Sequence, residues 1–240
     1  MIKIEKTDVY GFESAIRGMR NPLNSWDKSD SYWHSDNFGL GEECEYIVEK
    51  NDLELMKKLA AAGNDHGKFM RMITVTCDIV APLYWWKEFD TYKVGTVANS
   101  CSTMHKIADK TFHFEDFSYE HLFADDEPGM IITVESNETK EVIQHKLTSR
   151  SLLMLQIELL NLYRNAYLET KDKQYWWQMI QLLPCSYNQR RTVQLNYAVL
   201  KNMYYARKNH KLDEWHDFCH WIEELPYSEL ITGEKENECK

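Results

Sequence analysis

The chain reads as an α+β protein, with an antiparallel or mixed sheet and long helices. Two observations carry that reading. Ile73, Val75, Cys77 and Ile79 alternate with Thr74, Thr76 and Asp78, the period-two pattern of a strand with one buried face. Later, apolar residues recur every three or four positions through LLMLQIELLNLYRNAYLE, the period of an amphipathic helix. Strands come early and helices late, which suits α+β packing rather than alternating βαβ units.

Each element follows from local chemistry. MIKIEKTDVYGF alternates at its start and predicts an edge strand. Residues 21–42 are rich in Pro, Gly, Asn, Asp and Ser and predict a loop. Asn51 and Asp52 stand where a helix cap is expected, before LELMKKLAAA, and Gly63 ends that helix. The alternating strand spans Phe69 to Val80 and stops at Ala81-Pro82. Pro82 then suits the start of a helix through LYWWKEFDTY. Residues 107–130 read as irregular, with a turn from Asp125 to Gly129. A helix is expected from near Glu138 onward. Asp172 caps the next one, KQYWWQMIQLL, which Pro184 closes. Two more helices are expected, from Gln189 to Ala206 and from Leu212 to Leu225. The polar tail 232–240 reads as frayed. The length of 240 residues suits one domain, 1–240.

Composition excludes some classes of partner. A net charge of −10 repels a nucleic-acid backbone, while leaving room for a local basic pocket. No apolar run approaches the ~20 residues of a membrane span. The first residues lack an apolar stretch of signal-peptide length, so a cytoplasmic location is expected. None of the six cysteines forms a C-x-x-C pair, and free thiols are expected. Eight Trp and fourteen Tyr predict a core or groove built from flat rings.

Three segments carry candidate chemistry. His216 and His220 lie four apart, the spacing of two metal ligands on one helix face. The same spacing is that of an exposed pair on a helix whose buried side is Trp215, Phe218, Cys219 and Ile222, and two ligands do not make a metal site. Arg190, Arg191, Lys201 and Arg207 fall on one expected helix, where they form either a phosphate-holding face or a solvated one. Residues 91–106, TYKVGTVANSCSTMHK, combine Gly95, Ser100, Ser102 and Thr103 with the thiol of Cys101 and the imidazole of His105. Such a segment offers N–H and O–H donors to a phosphate, or is a surface turn.

Two stretches resemble the flavin-dependent thymidylate synthases, also called thymidylate synthase complementing proteins. Residues 162–207, LYRNAYLETKDKQYWWQMIQLLPCSYNQRRTVQLNYAVLKNMYYAR, follow that family from a Tyr-rich helix through A-R-x-x-L-P to N-x-R … L-R. Leu183-Pro184 match its L-P, Asn196 its flavin-contacting asparagine and Arg207 its last arginine. From Leu53 to Lys106 the element order is also similar. There the family's R-H-R-x-x-S-x-N-x-x-S-x-R corresponds to Thr91-Tyr92-Lys93, then Asn99 and Ser102, with one extra residue between.

The resemblance implies a homotetramer binding FAD, with NADPH as reductant and methylenetetrahydrofolate as carbon donor, that methylates C5 of deoxyuridylate. Carried over residue by residue, it gives Ser102 a catalytic role. Tyr92, Lys93, Asn99 and Asn196 would hold the cofactor. Arg190, Arg191 and Arg207 would hold the substrate, and no metal is implied. The chain departs from the pattern where R-H-R becomes Thr91-Tyr92-Lys93, and Met104, Ile180 and Ala198 stand where the family has arginines that hold the deoxyuridylate phosphate and ring. Neither Met, Ile nor Ala supplies a bidentate donor. A catalytically inactive homologue that binds flavin or nucleotide, or serves as an oligomeric interaction protein, is the alternative. A hydrolase using His216 and His220 is a third reading.

Overall fold

Alternation in the sequence becomes alternation of burial. In the computed structural model, which describes residues 1–35, 44–135 and 142–233, β4 (Thr74–Pro82) buries Val75, Cys77, Ile79 and Ala81 and leaves the residues between them partly exposed. The described chain separates into two compact units, each made of several segments. The first holds residues 2–35, 44–80, 88–99 and 191–233; the second holds Met1, 81–87, 100–135 and 142–190.

The first unit is built on a four-stranded sheet of order β1-β4-β8-β5, with β1 (Lys3–Tyr10), β5 (Val97–Ser100) and β8 (Asn188–Asn196). β1 is an edge strand, as its sequence predicts, and pairs antiparallel with β4. Its register shifts between Glu5 and Asp8, where Lys6 takes a φ of 53°. Helix α1 (Phe12–Arg20) buries Phe12, Ala15, Ile16 and Met19, one face at helical spacing. The loop expected over 21–42 contains a strand, β2 (Tyr32–Ser35), paired with β3 (Cys44–Ile47); residues 36–43 lie outside the described residues.

Helix α2 (Lys50–Ala61) starts one residue before Asn51, with Glu49 in the capping position. Asp52 is therefore not a cap. It turns inward to a buried ion pair with Arg20, Oδ1 to Nε at 2.6 Å. Its Oδ2 accepts from the Ser29 and Ser31 hydroxyls and from the Asp30 and Ser31 backbone N–H groups. Arg20 in turn donates to the carbonyls of Ser25 and Lys28. One salt bridge thus ties the 25–31 loop to two helices. Helices α7 (Tyr197–Arg207), α8 (Asp213–Glu223) and α9 (Glu229–Thr232) complete this unit.

The helix expected from Gln189 to Ala206 is a strand followed by a helix. The run NQRRTVQLN has its apolar residues two apart at Val193 and Leu195, both buried, and Asn196 ends it by capping α7. Of the tail expected to fray, Thr232 closes α9 and residues 234–240 lie outside the described residues.

In the second unit, α3 (Leu83–Phe89) begins directly after Pro82 and ends in the first unit. Trp85 and Trp86 are core residues, and the Trp86 indole donates to the Gln189 carbonyl at 3.0 Å. A short helix, α4 (Thr103–Lys106), follows. The helix expected from Glu138 begins only at Ser149: a hairpin of β6 (Met130–Glu135) and β7 (Val142–Leu147) precedes it, and Glu138 lies outside the described residues. Thr148 and Ser151 cap α5 (Ser149–Thr170) reciprocally. Lys171, at φ 58°, turns the chain into α6 (Lys173–Leu182), which Asp172 caps as expected. Leu153, Ile157 and Leu160 of α5 pack with Met179 of α6 and with Ile107, Phe112 and Phe117. No helix among the described residues is long and apolar enough to cross a membrane.

Candidate functional site

The segment 88–99, in the first unit, is fastened at both ends by side chains singled out in the sequence. Glu88 and Phe89 finish α3, and backbone bonds from Thr91 to Glu88 and from Tyr92 to Phe89 tighten the exit. The Thr96 hydroxyl donates to the Tyr92 carbonyl. Gly95 sits at a φ of 79°, and a Cβ there would lie 2.8 Å from the Asn196 amide nitrogen and 2.9 Å from Val199. A residue with a side chain is disfavoured on both grounds.

One carboxylate organises the near end. Glu88 Oε2 receives Arg207 Nη1 at 2.6 Å, His210 Nε2 at 3.2 Å and Trp215 Nε1 at 3.2 Å. The Leu212 N–H donates to His210 Nδ1, so Nε2 carries the imidazole proton and points it at Glu88. Arg207 Nε donates to the Tyr92 hydroxyl at 2.9 Å, and its guanidinium lies over the rings of Trp215 and Tyr92 at 4.8 and 5.5 Å. At the far end, Asn196 caps α7 by accepting the Val199 N–H at 3.0 Å, and its amide reaches the Gly95 carbonyl at 3.5 Å. Lys93, between these clamps, and Asn99, beyond them on β5, are exposed.

The structure therefore brings Tyr92, Arg207 and Asn196 to one loop, but as its scaffold. Arg190, Arg191, Lys201 and Arg207 do not share a helix: the first two are on β8, because that segment is a strand. Arg191 pairs with Asp90 at 2.7 Å and Arg207 with Glu88, so a phosphate at either would share the guanidinium with a carboxylate. Lys201 donates to the Ala60 carbonyl.

In the second unit, Ser102 is exposed and accepts the His105 N–H at 3.1 Å, capping α4. The neighbouring Cys101 N–H donates to the Arg190 carbonyl at 2.9 Å. Ile180 packs on the α5–α6 core, and the backbone carbonyl of Met104 accepts the Trp176 indole N–H.

The remaining candidates separate. His216 faces Asp213 at 3.7 Å and His220 faces Glu223 at 3.5 Å. No group of three or more metal-ligating side chains occurs among the described residues. Cys44, Cys77, Cys101, Cys185 and Cys219 are free thiols, and Cys239 lies outside the described residues. Burial pushes the Cys77 and Cys219 thiols up to about 12 and about 11, so neither is a nucleophile near neutral pH. Glu88, the centre of the clamp, is not marked by any motif in the sequence, and His210 stands out there only as a neighbour of His216 and His220. The available signal was that Glu88 lies one turn before Tyr92.

No protein-family profile matches the chain, and no curated protein matches it in sequence. Solved structures do. Thymidylate synthase X from Helicobacter pylori, crystallised with FAD and dUMP, superposes with a TM-score of 0.59 over 95% of both chains at 15% identity. A second structure of that flavin-dependent enzyme with FAD and dUMP gives 0.58 over 95% of this chain and 96% of the other, again at 15% identity. This chain has the flavin-dependent thymidylate synthase fold. A UMP/dUMP methylase, PolB from Streptomyces cacaoi, bound with 5-Br dUMP, gives 0.55 at 13% identity over 97% of this chain and 95% of that one. At these identities the likeness is one of fold.

Proposed function

We propose that the chain binds FAD and a uridylate-type nucleotide and methylates the nucleotide at C5, with methylenetetrahydrofolate and NADPH as co-substrates and a substrate preference altered from deoxyuridylate. The observation that carries this reading is the convergence of Asn196 and Arg207, two positions that match the family's pattern, with Tyr92, which stands where that pattern has a histidine, on one loop in a chain with that fold. The donor set suits a flavin diphosphate: Lys93 on the loop and Asn99 on β5 after it offer an exposed cation and an exposed amide. When bound, the flavin supplies the redox chemistry of the transfer. Tyr92 and Asn196 would hold the loop in register. Ser102 would face the substrate, and Arg190, Arg191 and Arg207 would supply its anion contacts.

A specific observation favours a second reading, a homologue that binds without catalysing. Arg191 and Arg207 are each already neutralised by a carboxylate, and Ile180 is packed into a core. A desolvated charge contact is worth roughly 2–5 kcal/mol, so loss of the arginines weakens substrate binding steeply. Incubation with FAD, NADPH, methylenetetrahydrofolate and either uridylate or deoxyuridylate separates the two. A C5-methylated product supports catalysis; bound flavin without product supports the second reading.

Assembly as a homotetramer belongs to the same proposal. Leu152, Leu155, Leu159 and Leu162 form an exposed seam on α5, spaced three and four apart as in helices that pack together. A seam of this kind suits burial against another copy.

A further inference from the structure

A cavity of about 610 Å³ in the first unit is walled by α2, α7 and α9. Its charged lining is unevenly paired. Lys57 meets Glu229 at 3.4 Å, and Glu54 meets Lys50 at 3.8 Å. Among the described residues neither Lys58 nor Lys201 meets a carboxylate. Lys201 is half-buried on α7 and gives one N–H to the Ala60 carbonyl at 2.7 Å, at the C-terminal end of α2. Burial alone holds its amine below the ordinary lysine range, so the charged form lacks a counter-charge there. Tyr205, one turn along α7, and Leu230 give the cavity ring and aliphatic surface. The volume is that of a small-molecule site.

We propose that this cavity binds a small metabolite carrying an oxyanion, a phosphate monoester or a carboxylate, through Lys58 and Lys201. The oxyanion would supply the counter-charge that the protein withholds, and an apolar body would lie along Tyr205 and Leu230. The site uses none of the residues assigned to flavin or nucleotide, so it stands or falls separately from that function.

Pyridoxal 5′-phosphate is a suitable probe. Condensation of the Lys201 amine with its aldehyde gives an imine and water. Borohydride then delivers hydride to the imine carbon and leaves a stable secondary amine that peptide mass spectrometry locates. The full chain is labelled in parallel with pyridoxal, which lacks the phosphate. The expected result is labelling of Lys201 about tenfold faster by the phosphate-bearing aldehyde, the value of one charged contact. Lys58→Gln, a change at an exposed position, should erase that advantage. Inorganic phosphate or succinate should protect Lys201, and whichever protects names the headgroup. Equal rates for the two aldehydes, labelling no faster at Lys201 than at exposed lysines, or protection by neither anion would overturn the proposal.

Discussion

Glu88→Gln should loosen the loop clamp and release Arg207. The substitution keeps a carbonyl oxygen for the Trp215 and His210 donors at 3.2 Å but removes the charge opposite Arg207 at 2.6 Å. A hydrogen bond to a charged group contributes about 1.5–3 kcal/mol when well buried. Glu88 is 34% exposed, so solvent screening brings the expected cost to about 1–2 kcal/mol. A double-mutant cycle with Arg207→Met isolates the pair. Urea unfolding of the four proteins, compared by midpoint at constant slope, should give a coupling of about 1–2 kcal/mol. Glu88→Gln alone should also bind deoxyuridylate more tightly, because a guanidinium is no longer neutralised. Additivity within ~0.5 kcal/mol would refute the clamp as described.

Further outcomes follow from the same geometry. Asp52→Ala should destabilise the protein by about 3–5 kcal/mol, since it strands the buried Arg20; thermal or urea unfolding measures this. Burial alone would raise the Asp52 carboxyl, but the Ser29, Ser31 and Arg20 bonds outweigh it and hold the group below its ordinary value. Its contribution is therefore complete above the usual carboxylate range and disappears as pH falls through the lowered value. Asp52→Ala should flatten the acid limb of the stability profile. Asn196→Ala removes a helix cap, at about 1 kcal/mol by chemical denaturation, and should weaken FAD binding; unchanged affinity would break the assigned role. Gly95→Ala should lower stability by about 1–2 kcal/mol, from its positive φ and the contact with Asn196. Leu155→Glu with Leu159→Glu should shift the assembled mass toward monomer in light scattering; an unchanged mass would remove α5 from the interface.

What the sequence revealed depended on whether a signal was local. The alternation of Val75, Cys77 and Ile79 needed no tertiary information, and neither did the Asp172 cap or the stop at Pro184. β8 was misread because only Val193 and Leu195 mark its buried face, and the helical period of Leu200 and Met203 reaches back across it. Asn196 immediately before that period was the cap signal that separates the two. The β6–β7 hairpin was missed because its apolar residues are exposed, so no surrounding polar pattern framed them. Asp52 looked like a cap and became a buried ion pair, an outcome decided by Arg20, 32 residues away. At the candidate site the residue types were legible, while their use was not. Arg207 is engaged by Glu88, more than a hundred residues earlier, and no spacing rule reports such a partner.

The proposed function requires the loop held by Tyr92, Asn196 and Arg207 to receive a flavin beside a uridylate-type nucleotide. Titration of the purified chain with FAD, followed by flavin absorbance and fluorescence, tests it directly. Saturable binding is expected, with a spectral change when deoxyuridylate or uridylate is added. A colourless protein that leaves the FAD spectrum unchanged, with and without nucleotide, would contradict it.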